Sequence, residues 1–199
     1  MKTPKTRDGE ATRSSVLNAA EQLFSENGFS GTSIRKISNA SGISDGLILH
    51  HFKTKEELYR QVRERLADQY GEALQVNLKF SDDIPKMMRE TMETSYRHFK
   101  ENENYRRIAL WSYLEGREDF AQKEMDITKK MMEMAGAAQK MGVLRDDLEP
   151  AFFSVIIKGS VDYWIRWESM FAEAMGAGEE DPALDQKFFE QLMGIITKK

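Results

Sequence analysis

The chain has 199 residues, 40% of them hydrophobic, and a formal net charge of −4 without any cysteine. This composition allows one domain or two small ones with packed cores, and it excludes disulfides, thiolate metal sites and a cysteine nucleophile. The charge is uneven, because residues 1–55 hold eight Lys and Arg against five Asp and Glu. A basic end on an acidic body is typical of a protein that docks on phosphate groups, although a chance distribution of surface charge would look alike.

The sequence predicts neither a signal peptide nor a membrane anchor. Residues 1–13, MKTPKTRDGEATR, contain no apolar run. No stretch approaches the roughly 18 uncharged apolar residues that a membrane-spanning helix requires. We therefore expect no membrane partner and a cytoplasmic location.

Residues 12–42 predict two helices in succession. The first runs from about Thr12 to Asn27, with apolar residues at spacings of three and four, and Gly28 ends it. The second is short and begins near Ile34, with Thr32 as its expected N-cap. Ser41-Gly42 should end it, because glycine adopts the left-handed conformation of a tight turn without a steric penalty.

A third helix of about two turns follows this turn. Ser44 is its expected N-cap, and Ile48 and Phe52, four residues apart, anchor it inward. Residues 45–47, 49 and 50 are then left facing largely outward. Two helices joined by a glycine turn, with the second presented to solvent, have the geometry that reads the major groove of DNA.

The remainder of the chain predicts six further helices. Thr54-Lys55-Glu56-Glu57 has the pattern of a capping box and opens a long helix to about Asn77. Later helices are expected from Asp82 or Asp83 to Glu101, from Tyr105 to Glu115, and from Asp119 to Lys140. The β-branched residues 155–157 are also typical of a strand, but the apolar pattern that starts at Pro150 continues for over twenty residues and favours a helix. Pro182 opens the last helix.

The predicted fold is therefore all-α, with about nine helices. Residues 1–54 form an N-terminal three-helix head that contains the helix-turn-helix. Residues 55–199 form a C-terminal helical bundle for ligand binding and dimerisation.

The segment from about Thr12 to Leu58 resembles the N-terminal domain of TetR-type transcriptional regulators. The resemblance rests on AAEQLFSENGFSGTS in the first helix, the turn ASGIS, and HHFKTKEEL. It implies a dimeric all-helical repressor with a ligand-binding C-terminal domain. In that family the last two helices pair the subunits, so we expect a homodimer on a near-palindromic DNA operator, with a ligand that shifts the population toward the DNA-free form.

The resemblance and the helix pattern together give the expected DNA contacts. Asp45 replaces the basic residue that is usual in the family, and Leu47 and Leu49 replace Thr and Tyr, so we expect fewer phosphate contacts and some packing on thymine methyl groups. His50 and Lys55 match positions that lie near phosphate in the family. The predicted DNA-binding residues are Thr32, Ser33, Arg35, Lys36, Ser44, Asp45, Gly46, Leu47, Leu49, His50 and Lys55.

The body is expected to enclose a small-molecule effector. Eight of the twelve Met residues lie between positions 87 and 141, and flexible Met side chains suit irregular apolar pockets. Core packing at helical spacing is the alternative for each of these residues. The predicted ligand-binding residues are Met88, Met92, Tyr96, Phe99, Trp111, Tyr113, Met131, Tyr163 and Trp164.

Two other functions remain open at this point. The body can instead bind a protein partner while the head binds DNA. An enzyme is disfavoured, because the sequence has no Glu-x-x-His pair, glycine-rich phosphate loop or nucleophile elbow. We therefore expect no catalytic residue, no metal and no cofactor.

Overall fold

The structure is a computed structural model that describes residues 4–75, 84–117, 122–178 and 182–198. Within those ranges the chain forms nine α-helices and an isolated bridge between Leu144 and Thr197, which confirms the predicted all-α fold. The helices are α1 Pro4–Asn27, α2 Ile34–Ser41, α3 Asp45–Phe52, α4 Lys55–Gln75, α5 Ile84–Glu101, α6 Glu103–Leu114, α7 Gln122–Lys140, α8 Pro150–Ala174 and α9 Pro182–Ile196.

Most predicted helix ends lie close to the observed ones, with one clear exception. α1 begins at Pro4 rather than near Thr12, because its polar first two turns carry no apolar periodicity from which to predict a helix. Pro150 and Pro182 open α8 and α9 as predicted, and residues 155–157 are helical. The predicted starts at Asp82 or Asp83 and at Asp119 lie outside the described residues.

The chain divides into two compact units. The first comprises residues 1–69 and 102–124, and the second comprises residues 70–101 and 125–199. The first unit thus contains the helix-turn-helix, most of α4 and the whole of α6. The predicted functional boundary at residue 54 remains a prediction.

The core of the first unit is built from α1, the two short helices, α4 and α6. The rings of Phe24, Phe29 and Tyr59 form its aromatic centre, with Tyr59 edge-on to Phe24 at 4.9 Å and to Phe29 at 5.2 Å between centroids. Such edge-to-face packing is a favoured aromatic geometry. The other buried core residues are Val16, Leu17, Ala20, Ile37, Ile48, Phe52, Leu58, Val62, Leu66 and Ile108.

Helix α6 is attached to the end of α1 by polar contacts as well as by packing. The Glu115 carboxylate accepts the backbone N–H groups of Phe29 and Ser30 at 3.0 and 2.9 Å. Arg107 Nε and Trp111 Nε1 both donate to the Ser25 carbonyl, at 2.8 and 3.2 Å. The bonds to Ser25 satisfy a carbonyl in the last turn of α1, which a helix leaves without an internal partner, and the bonds to Glu115 fix the two N–H groups just beyond Gly28.

The core of the second unit joins α5, α7, α8 and α9. Trp164 of α8 stacks on Phe188 of α9 with 4.8 Å between ring centroids. Beside this pair, the Asp185 carboxylate accepts hydrogen bonds from Trp164 Nε1 at 2.9 Å, from the Tyr96 hydroxyl and from the Lys100 ammonium. One carboxylate therefore ties the start of α9 to both α5 and α8.

None of the described helices is both long enough and apolar enough to cross a membrane.

Candidate DNA-binding head and ligand cavity

The turn between α2 and α3 has the geometry that the sequence predicts. Gly42 adopts φ 71°, in the left-handed region, and its N–H donates to the Ser38 carbonyl at 2.9 Å. Ser44 precedes α3 in an extended conformation, and its hydroxyl accepts from the Leu47 N–H at 3.4 Å. The predicted glycine turn and the Ser44 cap are confirmed.

The predicted N-cap of α2 at Thr32 is wrong. Ser33 is the N-cap, and its hydroxyl accepts from the Lys36 N–H at 3.2 Å. Thr32 is buried, and its hydroxyl donates to the carbonyls of Leu23 and Gly28, which fixes the end of α1 instead. Its hydroxyl is therefore unavailable to DNA. The correct cap could not be chosen from sequence because Thr and Ser stand side by side and both can cap a helix.

Helix α3 buries one side and presents the other. Ile48 and Phe52 are fully buried, whereas Leu47 and Leu49 are 41% and 40% exposed. Gly46 lies at the start of this helix, and a Cβ built on it would meet nothing within 4 Å. We call the outward set Arg35, Asp45, Gly46, Leu47, Leu49 and His50 the reading face.

Lys55 and Lys36, both predicted to bind DNA, also bind the protein itself. The Lys55 ammonium donates to the carbonyls of Phe29 and Thr32 at 3.1 and 3.0 Å and lies 3.9 Å from the centre of the Phe29 ring. Lys36 Nζ donates to the Gly31 carbonyl at 2.7 Å. Both side chains therefore brace the segment that links α1 to α2. An ammonium has three N–H donors, so Lys55 retains one beyond these two bonds.

Arg35 and Asp45 of the reading face carry opposite charges and lie close to each other. Arg35 Nη1 of α2 lies 3.8 Å from Asp45 Oδ1 of α3, at the first position of that helix. A carboxylate is favourable there because the N-terminus of a helix carries partial positive charge. The contact joins the two helices on their outward side.

The start of α4 departs from a complete capping box. Thr54 accepts from the Glu57 N–H at 3.1 Å as predicted, but the Thr54 N–H donates to the Phe52 carbonyl rather than to Glu57. The Glu57 carboxylate instead accepts from Arg60 and Gln61, and these hydrogen bonds lower its pKa to about 2. Glu57 is thus a charged surface partner of α4 rather than the second half of the box.

A cavity of about 240 Å³ lies within the second unit. Its lining is mostly apolar, and the two charged residues that line it, Asp126 and Lys130 of α7, are exposed. The lining residues are Gly71, Leu74, Thr91, Met92, Ser95, Asp126, Ile127, Lys130, Met131, Met134, Ala135, Leu144, Phe153, Ser154 and Ile157.

Only two of the nine predicted ligand-binding residues line this cavity with described side chains, namely Met92 and Met131. Trp111 and Tyr113 belong to the first unit, where Trp111 bonds to Ser25 and Tyr113 is exposed. The side chain of Met88 lies outside the described residues. The other four are placed elsewhere in the second unit, and they are Tyr96, Phe99, Tyr163 and Trp164.

Those four residues have structural or surface positions. Tyr96 and Trp164 donate to Asp185. Phe99 packs on Tyr70 with 5.2 Å between ring centroids, and Tyr163 is exposed on α8. These four residues do not line the described cavity, because their rings contact other helices or solvent, and their role in ligand binding stays a prediction.

Sequence reasoning missed the small polar side chains of the cavity. Ser95 donates to the Thr91 carbonyl at 3.0 Å and accepts from the Tyr70 hydroxyl at 3.2 Å. Ser154 is buried in the lining, and the described residues give its hydroxyl no hydrogen-bond partner. Their signal was weak, since single serines at helical spacing occur in many core helices.

Comparison with known proteins agrees with this geometry. The family model described as "Bacterial regulatory proteins, tetR family" matches residues 16–62, which cover the core of the head. The regulator AcrR of Shigella flexneri is 34% identical over 87 residues, a match that spans 43% of this chain and 40% of AcrR. The chain therefore covers less than half of that relative.

Two longer matches extend beyond the head. The regulator UidR of Escherichia coli K12 is 27% identical over 160 residues, covering 75% of this chain and 78% of UidR. The crystal structure of a transcriptional regulator from Streptomyces coelicolor superposes with a TM-score of 0.72 at 21% identity, covering 93% of this chain and 98% of that one. At 21% identity, the similarity to the Streptomyces structure shows the fold alone.

The capped turn and the outward α3 form a helix-turn-helix head of the kind that binds DNA, and the matched proteins are transcriptional regulators. The head is similar to TetR-family proteins through the family model over residues 16–62, and most of the chain is similar to the regulator UidR. The relatives AcrR and UidR are both named as transcriptional regulators.

Proposed function

We propose that the protein is a homodimeric repressor that binds a near-palindromic operator and is released from it by an apolar or amphipathic small molecule. The observation that carries operator binding is the outward presentation of α3 by its buried anchors Ile48 and Phe52. The DNA-contacting residues are those of the reading face together with Ser33, Lys36, Ser44 and Lys55. Because its partner is DNA, the proposed place of action is the bacterial cytoplasm.

The dimer contact is proposed on α8 and α9. Exposed apolar residues on α8 recur at spacings that place them on one side of the helix, and Gly159, over which space is open, lies on the same side. These residues are Phe152, Val155, Tyr163, Trp167 and Met170, which we call the α8 stripe. A large apolar surface on a helix is typical of a protein interface, and α9 adds the exposed Ile195.

The cavity of the second unit is the proposed effector site. Its volume of about 240 Å³ lies somewhat below the roughly 300–1,000 Å³ of most ligand pockets, but apolar walls with few polar groups are typical of such sites. Met92, Met131 and Met134 give it walls that adapt to different ligand shapes. Ser154 is the proposed donor to a carbonyl or hydroxyl group of the ligand.

The operator is released if the effector binds more tightly to a conformation in which the two heads do not fit successive major grooves of the DNA. Those grooves lie about 34–36 Å apart. Moving the population from almost entirely bound to almost entirely free requires a difference in binding free energy of about 5.5 kcal/mol between the two conformations.

The effector site is tested with 1-aminoanthracene, a neutral fluorescent apolar probe. Wild-type protein should bind it with enhanced fluorescence and gain thermal stability, by about 2.7 kcal/mol at one hundred times the Kd. The M131W variant, which fills the cavity, should bind at least tenfold more weakly, whereas L110W on exposed α6 should bind as wild type does. Equal binding by M131W and wild type would reject the cavity and favour a body that binds a protein partner.

A further inference from the structure

Arg35 is the cation of the reading face whose hydrogen-bond donors remain unused. Its side chain is 77% exposed, and within the described part of the chain Asp45 is its sole ionic partner and no acceptor lies within hydrogen-bond distance. Lys36 and Lys55, in contrast, already donate to backbone carbonyls. Arg35 therefore reaches solvent with its fork of N–H groups intact.

Asp45 complements this arrangement. Its Oδ1 atom is buried and receives no hydrogen bond from the described residues, and Arg35 Nη1 is 3.8 Å away. A buried carboxylate oxygen without a donor is unfavourable unless a cation lies close to it. The Asp45 carboxylate thus holds the guanidinium on the side of α2 that faces α3.

The chemistry of the pair favours bases over phosphates. Two adjacent opposite charges carry no net charge, so the pair gains little from the phosphate backbone, and the carboxylate itself is repelled by it. A guanidinium has five N–H donors in a rigid fork, so one edge can face Asp45 while the other binds two acceptors. In the major groove guanine offers such a pair of acceptors, O6 and N7.

The rest of the reading face does not compete for this role. Leu47 and Leu49 have no hydrogen-bonding group, and Gly46 has no side chain. We propose that Arg35 reads one guanine in each half-site of the operator and that Asp45 is its positioning residue. The inference rests on the proposed operator binding and adds to it a specific base and the residue pair that selects it.

The test uses full-length protein and an operator obtained by selection from random duplex DNA. Each guanine of the half-site is replaced in turn by 7-deazaguanine, which lacks the N7 acceptor, symmetrically in both halves. For one guanine, wild-type binding should fall about tenfold or more, within the range expected for a bidentate contact. R35A should lose this discrimination, and R35K should lose it too, because lysine keeps the charge without the fork.

Asp45 is tested by the same measurement in D45N. This variant should lose most of the discrimination at that guanine while binding non-operator DNA more tightly and with a steeper salt dependence, because a negative charge is removed. The double variant R35A/D45N should discriminate no less than R35A. A structural role alone would leave the discrimination of the bound protein unchanged, and circular dichroism confirms that each variant is folded.

Three results would overturn the inference. The first is that R35A keeps the wild-type discrimination, and the second is that D45N discriminates at the same guanine as strongly as wild type. The third is that D45N no longer recognises a cytosine of the half-site while R35A still does, which would show that Asp45 reads that base itself. If wild-type protein selects no specific site, operator binding fails together with this inference, whereas the first three results leave operator binding intact.

Discussion

Among single residues, side chains that are proposed to bind DNA also stabilise the fold of the head. Lys55 shows this most clearly, because its ammonium binds two carbonyls and lies over the Phe29 ring, with one N–H donor left for phosphate. Arg117 also lies over that ring, 3.5 Å from its centre. The position of the segment between α1 and α2 therefore depends on two charged side chains.

The K55A variant should lose both stability and affinity for DNA. We expect the free energy of unfolding to fall by about 1–2 kcal/mol, because two hydrogen bonds from a charged donor are lost at a half-buried site. Affinity for all DNA sequences should fall alike, and the slope of log K against log salt should decrease by about one. Urea unfolding and salt titrations measure these two effects.

The control is K86A, which removes an exposed lysine of the second unit and should change stability by less than about 0.5 kcal/mol. A salt slope in K55A equal to that of wild type would restrict Lys55 to bracing the segment between α1 and α2.

At the same scale, the sequence predicted local features better than distant partners. Ser44, Gly42 and Thr54 act within four residues of their partners, and their roles as caps or turn were predicted correctly. Trp111 and Tyr96 bond to residues more than 80 positions away, so nothing in their own helices indicated those bonds. Their aromatic character suggested a pocket wall, whereas the hydrogen-bonding group of each ring has a structural partner.

At the scale of helices, junctions made by glycine and by buried polar groups position the elements. Gly28 ends α1 with φ 70°, and a Cβ on it would lie 2.8 Å from Glu115 Oε1 and 2.9 Å from the Trp111 ring. Gly42 ends α2 with nearly the same φ but with open space around it. The sequence predicted both glycines as helix ends, but only the structure shows that α6 packs against the first.

The two glycines therefore give a matched pair of variants. G42A should cost about 1–2 kcal/mol, since a non-glycine residue is strained in the left-handed region. G28A should cost at least about 1 kcal/mol more, because the added methyl group displaces Glu115 and Trp111 from their hydrogen bonds. Thermal unfolding of both variants checks this order, and equal losses would show that α6 does not constrain the end of α1.

In the second unit, the Asp185 carboxylate joins α9 to α5 and α8. Burial raises the pKa of its carboxyl, but hydrogen bonds from Lys100, Trp164 and Tyr96 outweigh burial and hold that pKa below its usual range. The folded state therefore prefers the charged carboxylate. Its stabilisation is complete above the pKa of about 4 in the unfolded chain, and it is lost as the pH falls through the lower folded pKa.

The D185N variant should lose about 1–3 kcal/mol of unfolding free energy at about pH 7, because Lys100 loses a charged acceptor. The difference from wild type should begin to shrink as the pH falls below about 4, where the carboxyl of the unfolded chain is protonated, and should be lost below the lower folded pKa, where the carboxyl of the folded wild type is protonated as well. Urea unfolding across this pH range measures the difference. D162N, in an exposed ion pair with Arg166, should change little at either pH. A difference for D185N that grows on acidification contradicts the assignment.

At the scale of the whole molecule, the account requires two heads held in one dimer. The α8 stripe is the proposed contact, and Val155 within it is 65% exposed. V155E should leave the helical content unchanged but yield monomers, since a charge would be buried in an apolar interface. Analytical ultracentrifugation measures the mass. The control Y113E makes the same kind of change on α6, at a residue that is 69% exposed, and it should stay dimeric. A dimeric V155E would reject the α8 stripe as the dimer contact.

Sequence-specific reading of a twofold operator is tested by selection from random duplex DNA followed by salt titration. We expect an enriched near-palindrome whose half-sites lie about one helical turn apart, bound with an affinity that falls steeply as salt rises. No enriched sequence, with weak binding that is insensitive to salt, would contradict it and would mean that the α3 of this chain does not read DNA.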